Sequence, residues 1–169
     1  VTSVNDLPTG APIGNVADGT EDTAQTILAS TLLEGFSDVE GALTISAISV
    51  TNGTLTAVAG GWTYTPTANY HGPVTVTYTV SDSDGASITG QTRSFSLTSV
   101  NDLPAGSPTG TVANGTEDIT QTILASTLLQ GFSDVDGDTL TVTDISVTHG
   151  TLTSTDGGWI FTPEDDYNG

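Results

Sequence analysis

Cysteine, methionine and lysine are absent from the 169 residues, and Arg93 is the sole basic side chain against 20 acids. Each absence closes a class of chemistry. Without cysteine there is no thiol nucleophile, disulfide or thiolate metal site, and without lysine there is no Schiff base and no Lys–Asn crosslink. A formal net charge of −19 and a pI near 4.1 repel phosphate, so nucleic-acid binding, which needs clustered Lys and Arg, is excluded. The same field repels an anionic membrane surface. No apolar run approaches the roughly 18 residues of a spanning helix, so membrane insertion is not expected.

What is present is acidic but patterned for folding. Hydrophobic residues make up 35% and are spaced regularly, unlike the composition of a disordered chain. Threonine occupies 33 positions and glycine 20. β-Branched residues suit a pleated surface and glycine suits tight turns, so the chain is expected to be all-β.

The chain also repeats itself. Val4-Asn5-Asp6-Leu7-Pro8 recurs at Val100–Pro104, and the nine residues Gln25–Leu33 recur unchanged at Gln121–Leu129. Between Val4 and Gly41, 29 of 38 positions are identical at an offset of 96, which becomes 97 after one inserted residue near Asp138. A period near 100 residues is a whole domain, the size of an immunoglobulin-like sandwich. The expected organisation is a preceding tail or linker at 1–8, a complete sandwich at 9–100, a linker at 101–104, and a second repeat at 105–169. That second repeat has no counterpart of Pro73–Val100, so the sequence reads as a window on a longer tandem array. Strand alternation is clearest at Val74–Val80, where Val and Tyr alternate with Thr. Leu140–Thr143 and Trp62–Thr65 alternate likewise. Ile27–Phe36 reads equally as a turn of helix or an irregular strand.

The acids fall in short turns, mostly at the same place in both repeats. Asp134-Val135-Asp136-Gly137-Asp138 sets three carboxylates at alternate positions around a flexible turn. That suits Ca²⁺, which takes six to eight oxygen ligands at about 2.3–2.6 Å. The loop is not an EF-hand, since its Gly comes early and no Glu follows at position 12. Its first-repeat counterpart, Asp38-Val39-Glu40-Gly41-Ala42, keeps two acids and is expected to bind more weakly. Glu21-Asp22, Glu117-Asp118, Asp82-Ser83-Asp84 and the linker pairs Asn5-Asp6 and Asn101-Asp102 are further candidates. Asp, Asn and Gly are ordinary turn residues. Clusters this dense and so little compensated by base repel one another unless a cation sits among them, however, so divalent-cation binding is the expectation.

The order of these motifs resembles the bacterial cadherin-like tandem repeats of giant secreted, RTX-type adhesins. It comprises a VNDxP linker, a Glu-Asp turn, SDVDGD, a GTL hairpin, a GGWxYTPxxNYxG segment, YTVSDSDG and VNDLP again. The resemblance covers essentially the whole chain. It implies cadherin-like antiparallel sandwiches strung head to tail with Ca²⁺ at or near the domain junctions. It also implies export to the cell surface or medium, and a role in adhesion or biofilm matrix. By this analogy Asn101, Asp102 and acids of the flanking repeats share junction ions. The resemblance carries ligand roles onto Glu21, Asp22, Asp82, Asp84, Asn101, Asp102, Asp134, Asp136 and Asp138; with Asp38, Glu40, Glu117 and Asp118 of the acid clusters, these make up the candidate metal-ligand set. The partners it implies are neighbouring repeats, with a homotypic or glycan partner beyond them.

No enzymatic activity is expected. Carboxylate pairs could serve a glycosidase, but the same acids recur in both copies, as a structural site would. His71 and His149 align with Asn168 and Asn52, each before a Gly, and read as turn residues. Trp62, Trp159, Tyr70 and Tyr167 could stack on sugars, yet their alternation with Thr directs them inward. A carbohydrate-binding module and a strand-exchanging assembly subunit are the alternative readings. Asn52-Gly53-Thr54 and Asn114-Gly115-Thr116 match the glycosylation sequon but read as turns. Ice binding needs a flat, short-period array, which a 96-residue repeat does not supply.

Overall fold

The computed structural model describes residues 4–169. The chain divides into two compact units, the first running to Val100 and the second spanning Asn101–Gly169.

The first unit is all-β apart from one turn of helix. In chain order it has β1 (Thr9–Gly10), β2 (Gly19–Thr20), β3 (Gln25–Leu28), α1 (Ala29–Leu33), β4 (Phe36–Ser37) and β5 (Thr44–Val50). The hairpin β6 (Gly53–Val58) and β7 (Gly61–Pro66) follows, then β8 (Gly72–Ser81) and β9 (Ser87–Thr98). One sheet has the order β2-β9-β8-β5 and a second the order β3-β7-β6, while β1 pairs with β4 alone. The ambiguous Ile27–Phe36 stretch resolves into strand β3 followed by the single turn α1. Leu32 of that turn is fully buried, so tertiary burial fixes a segment too short to be helical alone.

The sandwich core follows from the period of two. Val74, Val76, Tyr78 and Val80 of β8 are buried, and the threonines between them lie on the other face. They meet Ile27 and Tyr64 of the three-stranded sheet, Phe95 and Leu97 of β9, and Leu32. Tyr64 and Phe95 pack edge-on with centroids 5.3 Å apart. The hydroxyls entering this core are satisfied: Tyr78 donates to the Leu32 carbonyl and Tyr64 to the Asn52 carbonyl, each at 2.8 Å. Gly53 is required beneath Tyr64, because a Cβ there would lie 2.4 Å from Cε2 of the ring.

The second unit repeats only part of this plan. It contains β10 (Ala105–Gly106), β11 (Gln121–Leu124), the turn α2 (Ala125–Leu128), β12 (Phe132–Ser133), β13 (Gly150–Thr155) and β14 (Gly158–Pro163). Its main sheet has the order β11-β14-β13, in the same register as β3-β7-β6. Leu140–Thr143, expected as a strand, is not one; no strand forms between Ser133 and Gly150. The reason is pairing. The corresponding β5 is held by β8, and among the described residues no strand pairs with Leu140–Thr143. Gly115–Thr116, the counterpart of β2, likewise has no strand to join. All the buried apolar side chains among the described residues belong to the first unit.

Candidate functional site

Two separate groups of acids form in the first unit, near opposite ends of β8. At about 3.3 Å per residue, its 10 residues hold them apart. The first group forms where β8 ends and β5 begins. Asp82, 6% exposed, accepts three backbone hydrogen bonds at Oδ1, from Asp84 (2.9 Å), Gly85 (2.7 Å) and Ala86 (2.9 Å). Its Oδ2 accepts from Asn5 Nδ2 at 3.0 Å. Burial pushes the Asp82 carboxyl up, but the bonds from Asn5, Asp84, Gly85 and Ala86 outweigh it and hold the group below its ordinary value. Asp82 is therefore an ionised staple that closes the β8–β9 turn and anchors the incoming linker. Asp84 stands exposed beside it.

The Asp38–Gly41 turn joins the same group. Asp38 Oδ1 accepts from the N–H groups of Glu40 (2.9 Å) and Gly41 (3.0 Å), and Glu40 Oε2 accepts from the Asp6 N–H at 3.3 Å. The other oxygen of Asp38, Oδ2, is buried with no hydrogen-bond partner among the described residues. Asn5 and Asp6, whose motif recurs at Asn101 and Asp102, thus belong to the group.

The second group centres on Glu21, 1% exposed. Its Oε1 accepts from the Val100 N–H at 2.6 Å, and its own N–H donates to the Thr98 carbonyl at 3.0 Å. Oε2 is buried without a hydrogen-bond donor among the described residues, with His71 Nδ1 3.6 Å away. Asp22 serves the backbone instead. It sits in the left-handed region (φ 55°) and accepts from the Asn69 N–H at 2.9 Å. No sequence signal pointed to His71 as a neighbour of Glu21, because its counterpart is Asn168.

The second unit rebuilds the linker-and-loop group. Asp134 Oδ1 accepts from the N–H groups of Asp136 (2.9 Å) and Asp138 (3.4 Å), so the alternate acids curl around one turn. Asp136 Oδ2 accepts from the Asp102 N–H at 2.7 Å, as Glu40 does from Asp6. Carboxylate oxygens of Asp102 and Asp136 lie within 4.8 Å of each other. Like charges at that distance repel by about 1–3 kcal/mol at effective dielectric constants of 80–20. Asn101 donates from Nδ2 to the Asp102 carbonyl at 2.9 Å rather than reaching the loop. Asp118 repeats Asp22 (φ 60°), accepting from the Asp166 N–H at 3.1 Å. Glu117, unlike Glu21, is exposed, for no strand corresponding to β9 covers it.

The carboxylate oxygens gathered in these groups are ligands of the kind a hard cation such as Ca²⁺ takes. The buried, donor-less oxygens of Glu21 and Asp38 fit such an ion, as does the close Asp102–Asp136 pair. The aromatic residues do not build an open platform in the first unit. Trp62 is half-buried and packs on the core, and Tyr70 donates its hydroxyl to the Pro73 carbonyl at 2.8 Å. In the second unit Tyr167 stacks on His149, with ring centroids 4.1 Å apart.

The all-β plan is thus repeated along the chain, with acids gathered from linker and turn in each unit. A family model for the cadherin-like domain matches residues 4–98 and again residues 100–169. The chain belongs to the cadherin-like domain family. No curated protein matches it. Among the described residues no helix is long and apolar enough to cross a membrane.

Proposed function

We propose that the chain is a calcium-binding extender of a secreted or surface-attached bacterial adhesin, acting in cell adhesion or biofilm matrix rather than in catalysis. The observation that carries this reading is the grouping of carboxylates around the linker motif in each unit, Asp6 with Glu40 and Asp102 with Asp136. Ca²⁺ bound there replaces repulsion by shared coordination. It stiffens each repeat together with its linker, so that neighbouring repeats hold a distal binding domain away from the cell.

The mechanism is linkage. An ion that binds the folded form alone stabilises it by RT ln(1 + [Ca]/Kd), about 2.7 kcal/mol per site at a hundredfold excess over Kd. Extracellular modules bind Ca²⁺ with Kd of roughly 10⁻⁴–10⁻³ M, which makes such a chain responsive to the calcium of its surroundings. Thermal melts in EDTA and in millimolar Ca²⁺ test the reading. A large rise in melting temperature with Ca²⁺, not matched by Mg²⁺, is expected; identical melts in all three buffers would contradict it.

A further inference from the structure

We infer that Asn114 is a site of spontaneous deamidation, through which the second repeat gains the acid that the first repeat already carries. Asn114-Gly115 stands where the first repeat has Asp18-Gly19. Asn114 and Asp18 are both exposed, so this place faces solvent in either repeat. The glycine beside it is fixed by packing. Gln121 Nε2 donates to the Ala113 carbonyl at 2.5 Å, as Gln25 Nε2 donates to Ala17 at 3.3 Å. A Cβ on Gly115 would lie 2.8 Å from Oε1 of the same glutamine, and one on Gly19 closer still to Gln25. A glycine in that place leaves its main-chain nitrogen unshielded by a side chain and open to the preceding amide.

The reaction needs only water. The Gly115 main-chain nitrogen gives its proton to solvent and bonds to Cγ of Asn114. The Cγ–Nδ2 bond breaks, and the amide nitrogen leaves as ammonia with a proton taken from water. Water then opens the cyclic imide at either carbonyl, giving an aspartyl or an isoaspartyl residue. Nothing is oxidised or reduced. The aspartyl product is one the sandwich plan already holds, since Asp18 Oδ1 accepts from the Ser96 N–H at 2.7 Å. The isoaspartyl product lengthens the main chain by a carbon. Either adds a negative charge three residues before Glu117.

Asn52-Gly53 is the same dipeptide in a different setting. Asn52 turns the chain from β5 into β6 in the left-handed region, at φ 55°. Its carbonyl accepts from the Tyr64 hydroxyl at 2.8 Å and the Thr67 N–H at 3.0 Å, and its Nδ2 donates to the Pro73 carbonyl at 3.4 Å. Gly53 lies opposite Pro66 in the β6–β7 ladder. Bringing the Gly53 nitrogen onto Cγ of Asn52 breaks this set, so Asn52 reacts from a locally opened state alone. Asn114 has no side-chain hydrogen bond to break among the described residues.

The test ages the full protein in neutral buffer and maps each asparagine by peptide mass spectrometry, with Asn168 read on its own fragment. Asn114 is expected to convert at least about tenfold faster than Asn52, whose turn must first open. Both aspartyl and isoaspartyl products are expected, at a rate that rises with pH. Gly115→Ala, whose methyl shields the nitrogen, is expected to slow conversion of Asn114 at least about tenfold and to leave Asn52 unchanged. Asn114→Asp is expected to fold and to elute from anion exchange with the aged protein. Conversion of Asn52 as fast as Asn114, or an Asn114 rate that Gly115→Ala does not change, overturns the inference. So does an aspartyl product alone, because direct hydrolysis would then replace attack by the main chain.

Discussion

Glu21 and Glu117 hold the same place in the two repeats, yet one is buried and the other exposed, because Glu21 alone has strand β9 and Val100 folded over it. A buried carboxylate oxygen without a donor costs stability unless a cation reaches it. Glu21→Gln keeps the acceptor for the Val100 N–H and removes the charge. In EDTA it is therefore expected to melt at or above the parent, and in millimolar Ca²⁺ below it, with up to about 2.7 kcal/mol of calcium stabilisation lost at a hundredfold excess. Paired melts in the two buffers read this crossover. Asp82 differs, since its lowered pKa comes from Asn5 and turn N–H bonds that overcome burial. A carboxyl lowered on folding stabilises above its unfolded pKa, near 3.8, and that contribution disappears as pH falls through the folded value. Asp82→Asn is expected to melt lower than the parent at pH 7 without calcium, the gap shrinking below pH 3.8 as the parent carboxyl protonates. A gap independent of pH would show that shape, not charge, matters at this position.

Strands behave according to their partners more than their sequence. Val74–Val80 was legible from its alternation because β8 is central, buried on one face and paired on both edges. Leu140–Thr143 carries the same alternation and forms no strand, because alternation reports a face that can be buried and cannot supply the ladder. Ile27 and Ile123 make the same contrast at identical register, opposite Trp62 and Trp159. Ile27→Ala is expected to cost about 2–5 kcal/mol, as a buried truncation does, and Ile123→Ala less than about 1 kcal/mol. Denaturant melts of the two variants, with unchanged m-values, measure the difference. The turn chemistry was legible as turns, but its division of labour was not. Asp22 and Asp118 repeat perfectly in sequence beside Glu21 and Glu117, and only geometry separates the backbone-holding aspartates from the buried glutamate. His71 was hidden for the same reason: nothing in a His-Gly turn specifies that Nδ1 lies 3.6 Å from Glu21.

A net charge of −19 on 169 residues sets the behaviour of the whole chain. Composition made the acidity and the all-β class plain, and the repeat of Asn-Asp-Leu-Pro placed acids at each linker. The pairing of Asp6 with Glu40 and of Asp102 with Asp136 needed the fold, because those residues are 34 apart in sequence. Self-repulsion of this size is screened by salt, with a Debye length near 10 Å at 0.1 M. Raising NaCl in EDTA is therefore expected to raise the melting temperature modestly and smoothly, whereas calcium acts at a concentration about a hundredfold lower through specific sites. Calorimetric titration of Ca²⁺ into the EDTA-stripped protein at 0.15 M NaCl decides the matter most directly. The account predicts saturable binding of two or more ions with Kd of roughly 10⁻⁴–10⁻³ M, reduced in stoichiometry by Asp134→Asn with Asp136→Asn. Heats no larger than those of dilution, with NaCl and CaCl₂ equivalent at equal ionic strength, would mean that the acids are solvated turns and that calcium has no part in the protein's work.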